Sequence, residues 1–186
     1  MWNLFLAYIP FGISTLMKLK ERDIEPFQFW LIFPFWILFF PNAPYILTDL
    51  FHLMPRGNTP EWFDLFLLLS FSITGLLLGL FSLKHMHRFV IRFHSNGTGL
   101  LFVFCTLTLG SFGVYLGRFE RFNSWDIIRS PLELFHDIGS RILYPTNHIG
   151  TWGMTIALSI LLGILYLLIG GLENKGVKNS ELRIKN

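Results

Sequence analysis

Trp62-Phe63-Asp64-Leu65-Phe66-Leu67-Leu68-Leu69-Ser70-Phe71-Ser72-Ile73-Thr74-Gly75-Leu76-Leu77-Leu78-Gly79-Leu80-Phe81-Ser82-Leu83 is the stretch that decides the fold. One ionisable side chain, Asp64, stands near its start, and no other interrupts it before Lys84. A helix of about 17–25 predominantly apolar residues crosses a bilayer core of roughly 30 Å. Runs at 1–17, 24–40, 98–117 and 152–172 read the same way. The predicted fold is therefore all-α, an integral membrane bundle of about five transmembrane helices. Residues 1–186 form one domain, because nothing between the runs is long enough to build a second core.

Composition agrees. The chain is 52% hydrophobic and 17% aromatic but only 15% charged, too little polar surface to cover so much apolar side chain in water. The net charge of +3 is spread along the loops, which argues against a nucleic-acid partner. Cys105, the single cysteine, lies in an apolar run and is expected to pack as a small hydrophobe. The first run has no basic residue ahead of it and does not read as a cleavable signal peptide.

The basic residues orient the chain. Lys18, Lys20, Arg22, Lys84, Arg88, Arg92, Lys175, Lys178, Arg183 and Lys185 fall in regions that alternate with those holding Arg56, Arg118, Arg121, Arg129 and Arg141. The richer set is expected in the cytoplasm, with the N-terminus outside and the C-terminus inside a plasma membrane. Loops 41–61 and 118–151 then face outward. The basic cluster around Lys84, His85, His87, Arg88, Arg92 and His94 reads as a belt against anionic headgroups.

The outer loops hold most of the unusual polar residues. Pro41-Asn42-Ala43-Pro44 ends the second run or forces a re-entrant turn. Beyond it Tyr45, Asp49 and His52 recur at i, i+4 and i+7, the polar stripe of a short helix at the outer interface or dipping into it. Thr59-Pro60 reads as the cap and first residue of the next helix. Glycines at 75, 79, 113 and 117 have the spacing that lets helices approach closely. Asn123 with Asp126, and Ser130-Pro131 with Glu133, read as helix starts. The second opens a helix from Pro131 to about Leu143, with Glu133, Asp137 and Arg141 on its polar side.

Neutral imidazoles with carboxylates suit zinc or a similar divalent metal, and an open coordination position activates water. Asp49, His52 and His148 are the candidate ligands, with Asp64 or Asp126 as the base. Arg118 and Arg121 share a helical face at headgroup level, where guanidinium forks match a lipid phosphate. Asn42, Tyr45, Asn123 and Trp125 complete the candidate binding set. The simpler reading is that these residues cap helices and that the arginines neutralise Asp49, Asp64 or Asp126 in a structural network. No Gly-x-Ser-x-Gly elbow, P-loop or His-Glu-x-x-His is present.

PNAPYILTDLFHL at 41–53, Gly117-Arg118-Phe119 followed by Asn123-Ser124-Trp125-Asp126, and His148 with Trp152-Gly153 resemble the signatures of a bacterial multi-pass membrane family, the domain-of-unknown-function family 1361. The likeness covers nearly the whole chain. It implies a bacterial membrane protein whose two outer loops belong together, and supplies no catalytic residue, because the family has no established activity. Members are often somewhat longer, which leaves room for a helix upstream of Met1. The expected function is a polar, outward-facing site for metal-assisted hydrolysis or transfer on a lipid or lipid-phosphate head. A non-catalytic accessory or assembly subunit, docking a membrane-protein partner, is the alternative, and a small transporter the third.

Overall fold

A computed structural model describes residues 2–52 and 60–184, without the side chains of His52, Glu61 and residues from 172 onward. All secondary structure among the described residues is helical. This is the expected all-α membrane bundle, and the reason is elementary. In hydrocarbon a backbone must satisfy its own N–H and C=O groups, which a helix does within one segment.

Helix α1 (Trp2–Leu19) is followed by α2 (Pro26–Phe39), the one-turn α3 (Asn42–Tyr45) and 3₁₀ turns over Ile46–His52. Then come α4 (Glu61–Phe93) and α5 (Asn96–Phe119), joined by a two-residue link in which Ser95 Oγ caps α5 by accepting from Thr98 N–H at 3.2 Å. A short α6 (Asp126–Arg129), α7 (Pro131–Leu143), a 3₁₀ turn over Pro145–His148 and the long α8 (Ile149–Ile184) complete the chain. The closest pairings are α1 on α4 and α5 on α8, with α4 against α5 joining the two.

Among the described residues, four stretches are long and apolar enough to cross a membrane: Pro26–Phe51, Trp62–Phe93, Asn96–Phe119 and Pro145–Gly171. That is one fewer than the five apolar runs. Helix α1 is continuous and packs on α4 but is not among the four; Asn3, Ser14, Thr15 and Lys18 interrupt its apolar residues. Along α4, Trp62, Phe66, Ile73 and Leu77 point outward, as do Ile160, Ile164 and Leu167 on α8. Such outward apolar faces suit contact with lipid tails. Inside, Phe29, Trp36, Phe40, Leu83, Met86 and Phe89 are fully buried, and the Trp36 and Phe40 rings lie 5.0 Å apart. Matched polar links cross this core. Trp36 Nε1–H donates to Ser82 Oγ at 2.7 Å, and Ser82 Oγ donates to the Pro10 carbonyl at 2.8 Å, tying α2, α4 and α1 together.

The proline-rich segment does not stop the second run. Phe40, Pro41 and Ile46 keep right-handed helical backbone angles, so the chain continues as a tightened extension of α2. Nor does it rest on the surface: Ala43, Ile46 and Thr48 are buried. Two glycine stripes make room for it. A Cβ on Gly75 would lie 2.9 Å from the Ala43 carbonyl oxygen, and one on Gly79 would lie 2.8 Å from Ala43 Cβ. Across the gap, Cβ atoms on Gly110 and Gly113 would come within 2.7 Å of Phe40 and Pro41 respectively. Segment 40–46 is thus inserted between α4 and α5, where only hydrogen atoms fit opposite it. Ser72 on α4 donates to the Ile46 carbonyl at 3.1 Å, satisfying an acceptor there. At the start of α4, Pro60 is the extended residue ahead of the helix rather than its first residue, and Thr59 lies outside the described residues.

Candidate functional site

The inserted segment presents Tyr45, Thr48 and Asp49 to the last turn of α5. Arg118 makes an ion pair with Asp49 at 3.1 Å and donates to the Thr48 carbonyl. Its guanidinium carbon stands 5.5 Å from the centre of the Tyr45 ring, and Nη1 reaches the Tyr45 hydroxyl at 3.4 Å. Asn3 of α1 donates to the other Asp49 oxygen at 3.3 Å. The Arg118 side chain is 11% exposed and that of Asp49 27%, so the pair is largely shielded from solvent. Gly117 keeps the approach open, since a Cβ there would meet the Tyr45 ring at 3.3 Å. The expected stripe of Tyr45 and Asp49 is thus real and faces protein. The His52 side chain lies outside the described residues.

A second link runs beside it. Asn42 Nδ2 donates to Ser124 Oγ at 3.0 Å, and Ser124 Oγ donates to the Leu38 carbonyl at 3.0 Å. The loop reaches this position through Arg121, whose φ of 62° is left-handed and turns the chain so that Phe122 N–H donates to the Leu116 carbonyl at 3.2 Å. Arg121 itself is exposed. Asp126, buried as the first residue of α6, accepts from Asn123 N–H at 2.6 Å. Trp125 precedes α6 at 37% exposure. Asp64 is half-buried in α4, and no side-chain hydrogen bond among the described residues joins it to Asp49.

A third cluster centres on Arg141, a residue for which the sequence offers only a place on the polar side of α7. Its side chain is 5% exposed. It pairs with Asp137 at 2.9 Å and with Glu120 at 2.7 Å, and donates to Thr151 Oγ1 at 2.8 Å. Nη1 also lies 3.1 Å from His148 Nδ1, the guanidinium faces Tyr115, and Trp152 Nε1–H donates to the Arg141 carbonyl at 3.1 Å. Burial alone would lower the guanidinium pKa; the hydrogen bond and charge of Asp137, with Glu120 and Tyr115, outweigh it and hold the value above normal. Arg141 therefore fastens α7 to α5 and α8. The one signal for it in the sequence was an acid at i−4, which exposed helices also use on their wet face.

Asp49 and His148 thus belong to different arginine clusters. Among the described residues no three His, Cys, Asp or Glu side chains gather where they could hold a metal ion.

Between these links lies a cavity of about 280 Å³. Its walls come from α1, the end of α2, the last turns of α5, the 122–124 loop and α7, and include Leu6, Ile37, Leu116, Leu134 and Ile138. Asn3, Asn42, Tyr45, Asn123 and Ser124 supply amide and hydroxyl groups to the same space.

An all-helical membrane bundle with two buried arginine clusters at one end is the class of protein these observations define. The family model described as "Protein of unknown function (DUF1361)" matches residues 2–167, and the chain belongs to that family. No curated protein and no solved structure matches it.

Proposed function

We propose that the chain is a non-catalytic accessory subunit of the bacterial plasma membrane, with its N-terminus outside, its C-terminus in the cytoplasm, and a membrane-protein partner. The observation that supports this most directly is the state of Arg118. The residue best placed to clamp a phosphate is already engaged by the Asp49 carboxylate and the Thr48 carbonyl. A guanidinium held this way braces the inserted segment, and a phosphate would have to displace its own counter-ion. Arg141 is engaged in the same manner by Asp137 and Glu120. The competing hydrolase needs Asp49, His52 and His148 around one divalent ion, with Asp64 or Asp126 to take a proton; Asp49 is paired with Arg118, and His148 lies against Arg141.

The two readings separate in a mutant cycle. Thermal unfolding of the detergent-solubilised protein is compared for wild type, Asp49→Leu, Arg118→Met and the double variant. As a brace, each single change strands a shielded charge and costs on the order of 3 kcal/mol, while the double variant recovers most of it. Single variants that melt like wild type would overturn the brace, as would a near-stoichiometric transition metal that is lost in His52→Ala.

A further inference from the structure

We propose that the cavity between α1, α2, α5 and α7 is a binding site for one hydrocarbon chain of a membrane amphiphile with an uncharged, hydrogen-bonding head. This goes beyond the accessory reading and does not depend on it.

Three observations lead there. The first is the lining itself: none of the described residues around the cavity is charged. Its walls are aliphatic and aromatic, and its polar groups are the amides and hydroxyls of Asn3, Asn42, Tyr45, Asn123 and Ser124. Such groups both donate and accept, and so complement hydroxyl, ester or amide heads rather than a phosphate or an ammonium. Asp49 and Arg118 cancel one another behind Tyr45 and Asn3, and the Asp126 carboxylate, behind Asn123, is held by the Asn123 N–H.

The second is the mouth. Trp2 at 60%, Phe135 at 60% and Ile127 at 39% exposure are the open apolar residues of the lining, with Asn123 exposed beside them. A rim of large apolar side chains is poorly suited to admit ligands from water. It is continuous with Ile128, Leu132, Ile142 and Leu143, which are exposed on α6 and α7. An amphipathic helix with such a face lies in the headgroup–acyl boundary of a bilayer. The cavity therefore opens where lipid chains are.

The third is size. Ligand pockets run from about 300 to 1,000 Å³. A cavity of about 280 Å³ lies just below that range, which suits one chain segment and not a two-chain lipid.

The test is native mass spectrometry of the full chain released from detergent micelles, with two single-chain probes offered at equal concentration. Monoolein has a neutral diol head; lysophosphatidic acid has an anionic one. One monoolein should be retained per protein, at least fivefold more than lysophosphatidic acid. Ile138→Trp, which fills the cavity from α7, should reduce monoolein retention at least tenfold, and Ile164→Trp, on the outward face of α8 and away from the cavity, should leave it unchanged. Equal retention by wild type and Ile138→Trp would overturn the site, and preference for lysophosphatidic acid would overturn the neutral head. If Ile138→Trp fails to fold, the comparison of the two probes on the wild type decides alone.

Discussion

Arg141 shows what a buried guanidinium does when it is fully matched. Its Nε and Nη2 meet Asp137, Nη2 also reaches Glu120, Nη1 donates to Thr151, and its backbone carbonyl accepts from Trp152. No other side chain reproduces that pattern. A lysine keeps the charge but offers a single ammonium, unable to span a carboxylate on α7, a second on the α5 side and a hydroxyl on α8. Arg141→Met should therefore destabilise the protein by about 3–5 kcal/mol, because Asp137 and Glu120 are left facing each other without a cation. Arg141→Lys should recover less than half of that loss in thermal unfolding, where a simple charge requirement would give full recovery. The pH dependence follows from the sign of the shift. A base whose pKa is raised on folding contributes stability that is complete below its unfolded value and lost only as pH rises through the folded one. For an arginine both lie far above neutral, so this contribution should be flat across pH 6–9, approximately the working range of most assays. A loss of stability confined to Arg141 variants on raising pH within that range would contradict it.

Among the elements, the inserted segment 40–46 sets the tightest constraint. The glycine spacings at 75/79 and 113/117 were legible in the sequence as places of close approach, and the prolines as an interruption. What each stripe faces was not, because spacing along one helix says nothing about its partner. Both stripes face the inserted segment instead of each other, Gly75 and Gly79 against Ala43 and Gly113 against Pro41, so the glycine and proline motifs explain one another. Gly75→Ala brings a methyl to 2.9 Å from a backbone oxygen that has no rotamer with which to retreat. Gly79→Ala and Gly113→Ala meet Ala43 and Pro41, which are equally stiff. Each should cost about 1–3 kcal/mol as overpacking. Gly139→Ala on α7 and Gly153→Ala on α8 meet nothing within 4 Å, and should gain up to about 1 kcal/mol from helix propensity. Opposite signs at sites of the same chemistry, measured by unfolding in one detergent, would establish the insertion; similar losses at all five would refute it. The polar contacts were legible in part. Tyr45 and Asp49 share a stripe because helical spacing places them together. Their engagement by Arg118, some seventy residues away, depends on how helices pack, and no local pattern encodes it. For Arg141 the local pattern misled, since an amphipathic helix is expected to turn its charges to water and α7 turns Asp137 and Arg141 into the bundle.

At the scale of the whole molecule, the charges sort by end. Arg92 at the close of α4 donates to the Glu21 carbonyl, so the α1–α2 turn with Lys18, Lys20 and Arg22 lies against the α4–α5 link. At the opposite end of α5, segment 41–49 meets 118–124 through Arg118–Asp49 and Asn42–Ser124. The sequence bias that orients the chain thus coincides with a physical division. One end gathers basic side chains in open positions, and at the other Arg118 and Arg141 are paired with acids while Arg121 and Arg129 are exposed. That difference strengthens the orientation argument, because a neutralised arginine adds little to the positive charge of its own side. The prediction is direct. Starting from Cys105→Ser, single cysteines are placed at Asp23, His94 and Arg129 and treated with a membrane-impermeant maleimide on intact cells. Arg129→Cys should label at once, and Asp23→Cys and His94→Cys only after the membrane is permeabilised. The reverse pattern would invert the bundle and put the arginine clusters and the cavity on the cytoplasmic side. Labelling of all three in intact cells would mean that α5 does not cross, and the reading of Asn96–Phe119 as a span would fall with it.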